Sequence, residues 1–335
     1  MMGERAGLLS PDADQEMAEI AGLLRSHKRF LLMTHVDPDA DGIGSMLALG
    51  RSLSDAGKAV VMLTPKPLDD PLNRLKDAAR IVNIHSEKHF DVVVALDCAE
   101  KNRLGTLADH MEGFGCTVNI DHHDTNDGFG TLNLNDPAAS STGELVFQIL
   151  KKGSFFICAD AAANLFAAIQ ADTGAFRFSN TTPGAMRMAA ELIELGARPW
   201  EISKDMDGYD AARLKLLELA LATMEFHFQG RLGMMTLNRH MFTETGAEAI
   251  DCERFVDYPR FVHGVEIAAV LREVGNDRYK CSLRSNTWVN VARLASGFGG
   301  GGHKRAAGFE CHGSADQIKR DFLTGAGRFL NDIPG

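Results

Sequence analysis

Three short stretches hold residues whose types could do metal chemistry: His35-Val36-Asp37-Pro38-Asp39-Ala40-Asp41, then Asp97, then Asp121-His122-His123. Carboxylates and imidazoles brought together can hold divalent cations, and two close cations can drive phosphoester hydrolysis. Each stretch follows an apolar run, as expected where strands of an open α/β sheet deliver side chains from their carboxyl ends into one crevice. In the first stretch Pro38 favours an extended approach. Asp39 and Asp41 are two apart, so one can face a first ion with His35 and the other a second. An Asp-rich turn is equally the mark of a helix cap. Asp97 ends the most hydrophobic strand in the chain, and a carboxylate there needs a partner. A bridge between two cations fits better than a cap or a salt bridge. Asp172, after an alanine-rich helix, is one more candidate carboxylate. The set has no thiolate, which favours Mn²⁺ or Mg²⁺ over a structural zinc, and imidazole tilts it towards Mn²⁺.

A second signal lies near the carboxyl end, in Phe298-Gly299-Gly300-Gly301-Gly302-His303-Lys304-Arg305. Consecutive glycines can aim backbone N–H groups into an anion-binding concavity, with His303, Lys304 and Arg305 adding charge beside it. The spacing is not that of a Walker loop. Upstream, Arg284 and Ser285 fall at a strand end, where a bidentate arginine–phosphate contact is expected.

The elements that must position these residues are readable from periodicity. Phe30–Met33, Ala59–Leu63, Ile81–Ile84, Val92–Leu96 and Cys116–Ile120 read as strands, with a helix through Ile43–Leu53 that Gly57 ends. Val92–Leu96 is a continuous run suited to a parallel strand buried on both faces. This alternation predicts an α/β fold, a parallel-sheet domain followed by a smaller α+β domain, with the site expected in the cleft between them. Ser141-Thr142-Gly143-Glu144 is a capping box, expected to start a helix and do no chemistry. Further helices fit Ala159–Gln170, Gly184–Leu195 and Ala211–Phe226. Strands at Arg231–Leu237, Val265–Arg272 and Tyr279–Arg284, a helix near Asn290–Ser296 and a last one over Ala315–Phe329 complete the smaller unit. The expected division is a metal-binding domain over residues 1–205, a helical linker over 206–228 and a substrate-binding domain over 229–335.

At 335 residues two domains are the natural reading. A formal net charge of −10 argues against extended DNA or RNA, which draws on broad basic surfaces. It leaves room for a small anion gripped by a few focused positive groups. The 6 cysteines form no C-x-x-C pair and read as free thiols in a reducing cytosol. Residues 1–19 lack a signal-peptide pattern, and no run is long enough to span a membrane, so a soluble cytoplasmic protein is expected.

Together these motifs resemble the DHH phosphoesterase superfamily. His35, Pro38-Asp39-x-Asp41 with Gly44-Ser45, then Asp97-Cys98-Ala99, Asp121-His122-His123 and Asp172-Thr173 match its amino-terminal motifs in order. Gly299–His303 is similar to the glycine-histidine motif of the DHH-associated carboxyl-terminal domain. Length and pairing are most similar to the bacterial oligoribonuclease and phosphoadenosine-phosphate phosphatase group, the nanoRNase A type. The resemblance implies a first Mn²⁺ on His35, Asp39 and Asp97, and a second on Asp41, Asp97, His122 and Asp172, with Mg²⁺ an alternative. It implies that His123 contacts the scissile phosphate. Arg284, Ser285, Gly300, Gly301, Gly302 and His303 would grip the other phosphate or the nucleotide. The implied reaction is hydrolysis of very short RNA to mononucleotides, and of 3′-phosphoadenosine 5′-phosphate to AMP and phosphate, by a hydroxide held between two ions. The rival within enzymes is a cyclic-dinucleotide or linear dinucleotide phosphodiesterase. The rival outside them is a non-catalytic nucleotide-binding regulator, which would have lost a ligand. No long nucleic acid or membrane partner is expected, and a homodimer stays open.

Overall fold

The structure is a computed structural model that describes residues 11–85, 89–112, 115–208, 210–252 and 254–331. The chain divides into two compact units, Met1–Gly208 and Tyr209–Gly335. Half of the stretch read for a signal peptide lies outside the described residues.

In the first unit, α1 (Pro11–Ser26) leads into β1 (Arg29–Thr34), α2 (Ala40–Asp55), β2 (Ala59–Leu63), β3 (Ile81–Val82), β4 (Val92–Leu96), β5 (Thr117–Asp121) and β6 (Leu132–Asn135). Helices α3 (Thr142–Lys152), α4 (Ala159–Asp172), α5 (Pro183–Glu194) and α6 (Pro199–Asp207) follow. The strands form one parallel sheet in the order β3-β2-β1-β4-β5-β6. The order reverses between β1 and β4, which opens a crevice at their carboxyl ends. All five residues of β4 are buried, as its unbroken apolar run requires. Between β4 and β5 there are 3₁₀ turns over Lys101–Met111, broken at Gly105, whose φ is 56°. A Cβ on Gly105 would stand 2.4 Å from Val36 Cγ1, so glycine lets this turn close over the loop after β1.

The second unit contains α7 (Ala211–Ala222), β7 (Glu225–His227), β8 (Leu232–Leu237), α8 (Arg239–Thr245), α9 (Asp257–Arg260), β9 (Ile267–Gly275) and β10 (Arg278–Ser285). It ends with α10 (Val291–Ser296), β11 (Gly301–His303), β12 (Ala306–His312) and α11 (Ala315–Asn331). Its sheet runs β11-β12-β10-β9-β8-β7, with only β8 and β9 parallel. Leu283, Phe309 and Phe322 belong to a core on one side of this sheet, and Met235, Val270 and Phe255 to a core on the other. The helix expected over Ala211–Phe226 stops at Ala222. Thr223 caps it, and Glu225–His227 pair with β8 instead, a tertiary choice that an apolar run does not reveal. No helix among the described residues is long and apolar enough to cross a membrane, and the 6 cysteines are free thiols.

Candidate metal centre

The carboxyl ends of β1, β4 and β5 and the last residue of α4 bring the predicted ligands together. Donor atoms of His35, Asp39 and Asp97 lie within 4.8 Å of one another, and so do those of Asp41, His122 and Asp172. The fold thus brings together residues that the sequence reading named as ligands, with Asp97 in the first of these groups. Asp97 joins them. Its Oδ2 lies 3.6 Å from His35 Nε2, and its Oδ1 lies 3.8 Å from His122 Nε2. His122 Nε2 also stands 3.1 Å from Asp172 Oδ2 and 3.7 Å from Asp41 Oδ2. A backbone turn aims Asp97: its φ is 54°, in the left-handed region a β-strand residue rarely visits, and its N–H donates to the Ile120 carbonyl.

Asp39 combines both readings of the Asp-rich turn. It is the N-cap of α2, accepting from Asp41 N–H (2.9 Å) and Gly42 N–H (3.2 Å), while also belonging to the His35 group. Asp41 sits in the first turn of α2 rather than in an extended loop, and Asp172 is the end of α4 rather than a residue beyond it.

Without a cation these carboxylates repel one another, and protons take up the charge. Crowding by protein atoms, then Asp97 and Asp172, raises Asp39 to about 6, although its outer edge meets solvent. Burial and the same neighbours hold Asp41 well above the usual carboxylate range. Burial also opposes ionisation of Asp97, but His35, His122 and His123 outweigh it and draw its pKa down. Burial works against a charged His122 too, and the hydrogen bond to Asp172 with the charges of Asp41 and Asp97 still lifts it to about 10. Partly buried, oxygen-rich and sharing one carboxylate between two donor groups, the cluster fits divalent cations with mixed carboxylate and imidazole ligands.

His123 occupies a different place. Its Nδ1 donates to Asp121 Oδ1 at 2.8 Å, and that bond raises its pKa. Asp121 is fully buried, and its other oxygen accepts from Asn126 Nδ2 at 2.6 Å. His123 also lies within reach of Asp97 and His122, but its Nδ1 is taken by Asp121, so its Nε2 is the free nitrogen. Sequence reading named Asp121 only as part of the motif. Its burial at the end of β5 is what identifies it as the group that orients His123.

The second unit places Arg284 and His303 on one side of its sheet. Ala306 pairs with His303 on β11 and with Arg284 on β10, so the two flank one small residue in a single cross-strand row. Arg284 is half-buried, and burial lowers its pKa from the ordinary value. Ser285 departs from the expected substrate contact: it is fully buried and its hydroxyl donates to the Val289 carbonyl at 2.7 Å. The glycine run is not an open concavity. Gly301–His303 form an edge strand, and Gly300 N–H donates to the Ala295 carbonyl at the end of α10. A Cβ on Gly300 would meet Gly308 O at 2.2 Å, and one on Gly302 (φ 137°) would meet Ala306 O at 2.6 Å. Close packing therefore accounts for these two glycines.

Comparison with known proteins gives the family of this fold. The family model described as "DHH family, N-terminal domain" matches residues 29–169, and that of the DHHA1 domain matches residues 235–330. The chain is 34% identical over 288 residues, 83% of its length and 82% of the relative's, to the bifunctional oligoribonuclease and PAP phosphatase NrnA of Thermus thermophilus. A similar protein of that name from Bacillus subtilis is 25% identical, over 91% of this chain and 97% of its own. A crystal structure of an exopolyphosphatase-related protein from Bacteroides fragilis superposes with a TM-score of 0.88 at 25% identity, covering 96% of this chain and 98% of that one. The chain belongs to the DHH family and carries a DHHA1 domain after its DHH domain.

Proposed function

We propose that the protein is a divalent-cation-dependent phosphohydrolase that cleaves very short RNA to mononucleotides and 3′-phosphoadenosine 5′-phosphate to AMP and phosphate. The observation that carries this reading is Asp97, whose two carboxylate oxygens face two separate donor groups. The extended likeness to NrnA supports the substrate class. His35, Asp39 and Asp97 would hold one ion, and Asp41, Asp97, His122 and Asp172 the other. Mn²⁺ suits carboxylates mixed with imidazole, with Mg²⁺ the alternative. Such ions, when bound, neutralise phosphate charge and make water a nucleophile at neutral pH.

The chain's own residues supply the rest. His123, held through Nδ1 by Asp121, offers Nε2 to a phosphate oxygen or to the leaving oxygen, and the bond to Asp121 favours its protonated form. Arg284 and His303 form the proposed grip for a second phosphate or the nucleotide, with Gly301, whose Cβ position is open, allowing close approach. Residues 229–335 would then be the substrate-binding domain. The free thiols agree with a reducing, cytoplasmic setting.

The deciding assay offers the purified protein a dinucleotide, 3′-phosphoadenosine 5′-phosphate, pyrophosphate and a cyclic dinucleotide, each with Mn²⁺. Turnover of the first two is expected. Turnover confined to pyrophosphate or to the cyclic dinucleotide overturns the reading.

A further inference from the structure

We propose that the first turn of α3 is a positioning device for the metal ligands, with Thr142 as its deciding side chain. The inference rests on the two-ion reading above and adds residues to which that reading assigns no role. An α-helix begins with backbone N–H groups that have no partner within the helix. Here they are divided. Ser141 Oγ caps the N–H of Glu144 at 3.2 Å, while the N–H groups of Thr142 and Gly143 donate to Asp41 Oδ2 and Oδ1 at 2.7 and 2.8 Å. Asp41 is fully buried, so this two-point hold fixes the plane of its carboxylate and leaves Oδ2, which faces His122, a further acceptor direction. Ser45 Oγ adds a third donor to Asp41, the second on Oδ1, at 3.3 Å.

The same turn reaches the shared ligand. Thr142 Oγ1 donates to Asp97 Oδ1 at 3.1 Å, on the oxygen that faces His122. It also connects with Asp172, because Asn180 Nδ2 donates both to the Ser140 carbonyl (3.0 Å) and to the Asp172 carbonyl (3.1 Å). Glu144 holds the approach to the helix, accepting from Ser140 N–H and Ser140 Oγ at 2.8 and 2.7 Å. The carboxylates of Asp41 and Asp97, and the backbone of Asp172, are thus referred to one five-residue segment. Gly143 permits the approach, since a Cβ there would lie 2.7 Å from Ala168 Cβ and 3.4 Å from Asp41 Oδ1. Partners behind metal ligands typically carry about 10–100-fold in metal affinity or activity.

The test is Thr142→Val, which keeps the backbone N–H and the shape but removes the hydroxyl, alongside Thr142→Ser, which keeps the hydroxyl. Mn²⁺ binding is followed by titration calorimetry and by the electron paramagnetic resonance signal of bound Mn²⁺, and kcat and KM are taken on a dinucleotide. Thr142→Val should weaken Mn²⁺ binding about 10–100-fold and lower kcat with little change in KM, and Thr142→Ser should restore both to within a few-fold. Wild-type Mn²⁺ affinity in the valine variant, or a serine variant as impaired as the valine one, overturns the role of Thr142. If valine prevents folding, Thr142→Ala carries the same two outcomes. Failure of the wild-type protein itself to bind Mn²⁺ would instead sink the two-ion reading, and this proposal with it.

Discussion

The residues of the centre divide by what lies behind them. Asp97 faces both donor groups, so Asp97→Asn should lower kcat by more than about 100-fold, beyond what loss of an outer partner typically costs. Mn²⁺ stoichiometry, measured by calorimetry, should fall with it. Asp121 belongs to neither donor group yet holds His123. Asp121→Asn should therefore cut kcat about 10–100-fold and shift the pH profile while Mn²⁺ affinity stays near wild type. An affinity loss as large as that of Asp97→Asn would make Asp121 a ligand. Protonation also sets metal affinity. Asp39, raised to about 6, and His122, raised to about 10, must both give up protons to a cation. In the metal-free chain, Asp39 contributes stability below about pH 4 that is lost as pH rises through about 6. The proton on His122 stabilises below its ordinary 6.5 and is lost as pH rises through about 10. The rise in melting temperature on adding Mn²⁺ should thus grow between pH 5 and 8, and a flat profile would contradict this assignment of protons.

At the scale of elements, α2 is pressed between the sheet and α4, and small residues make this close contact feasible. A Cβ on Gly44 would meet the Asn164 carbonyl oxygen at 2.5 Å and Ala168 Cβ at 3.3 Å. Gly44→Ala should cost about 1–3 kcal/mol by overpacking, read as a lower urea midpoint of the first unit. Strands β1 and β4 were legible because each is an apolar run followed by polar ligands, a pattern that burial on both faces imposes; β5 carries the same pattern interrupted by the buried Thr117 and Asn119. Strand β6, Leu-Asn-Leu-Asn, gave no such signal, because it lies at the sheet edge and is only partly buried. Strands β7 and β11 were hidden for a related reason: three-residue edges take their pairing from a neighbour, not from their own propensity.

For the whole molecule, each unit has its own sheet and its own core. All the metal-group residues belong to the first unit, and Arg284 and His303 to the second. Scanning calorimetry of the full chain should then show Mn²⁺ raising the transition of the first unit by mass action, with the second little moved. Equal shifts in both would show that the units unfold as one.

The ligand types, their order and their placement after apolar runs were determined by sequence alone, because burial of a parallel strand dictates local composition and the next residue falls at its carboxyl end. The capping box at Ser141 was equally visible as a helix start. Its contact with Asp41 and Asp97 was not, for it joins residues about a hundred and about forty-five positions apart. Likewise the inward turn of Ser285, the pairing of the glycines on β12 and the hold of Asp121 on His123 depend on which atoms packing brings within hydrogen-bond reach. Tertiary structure alone decides that, since a buried polar group must take whichever partner the fold supplies.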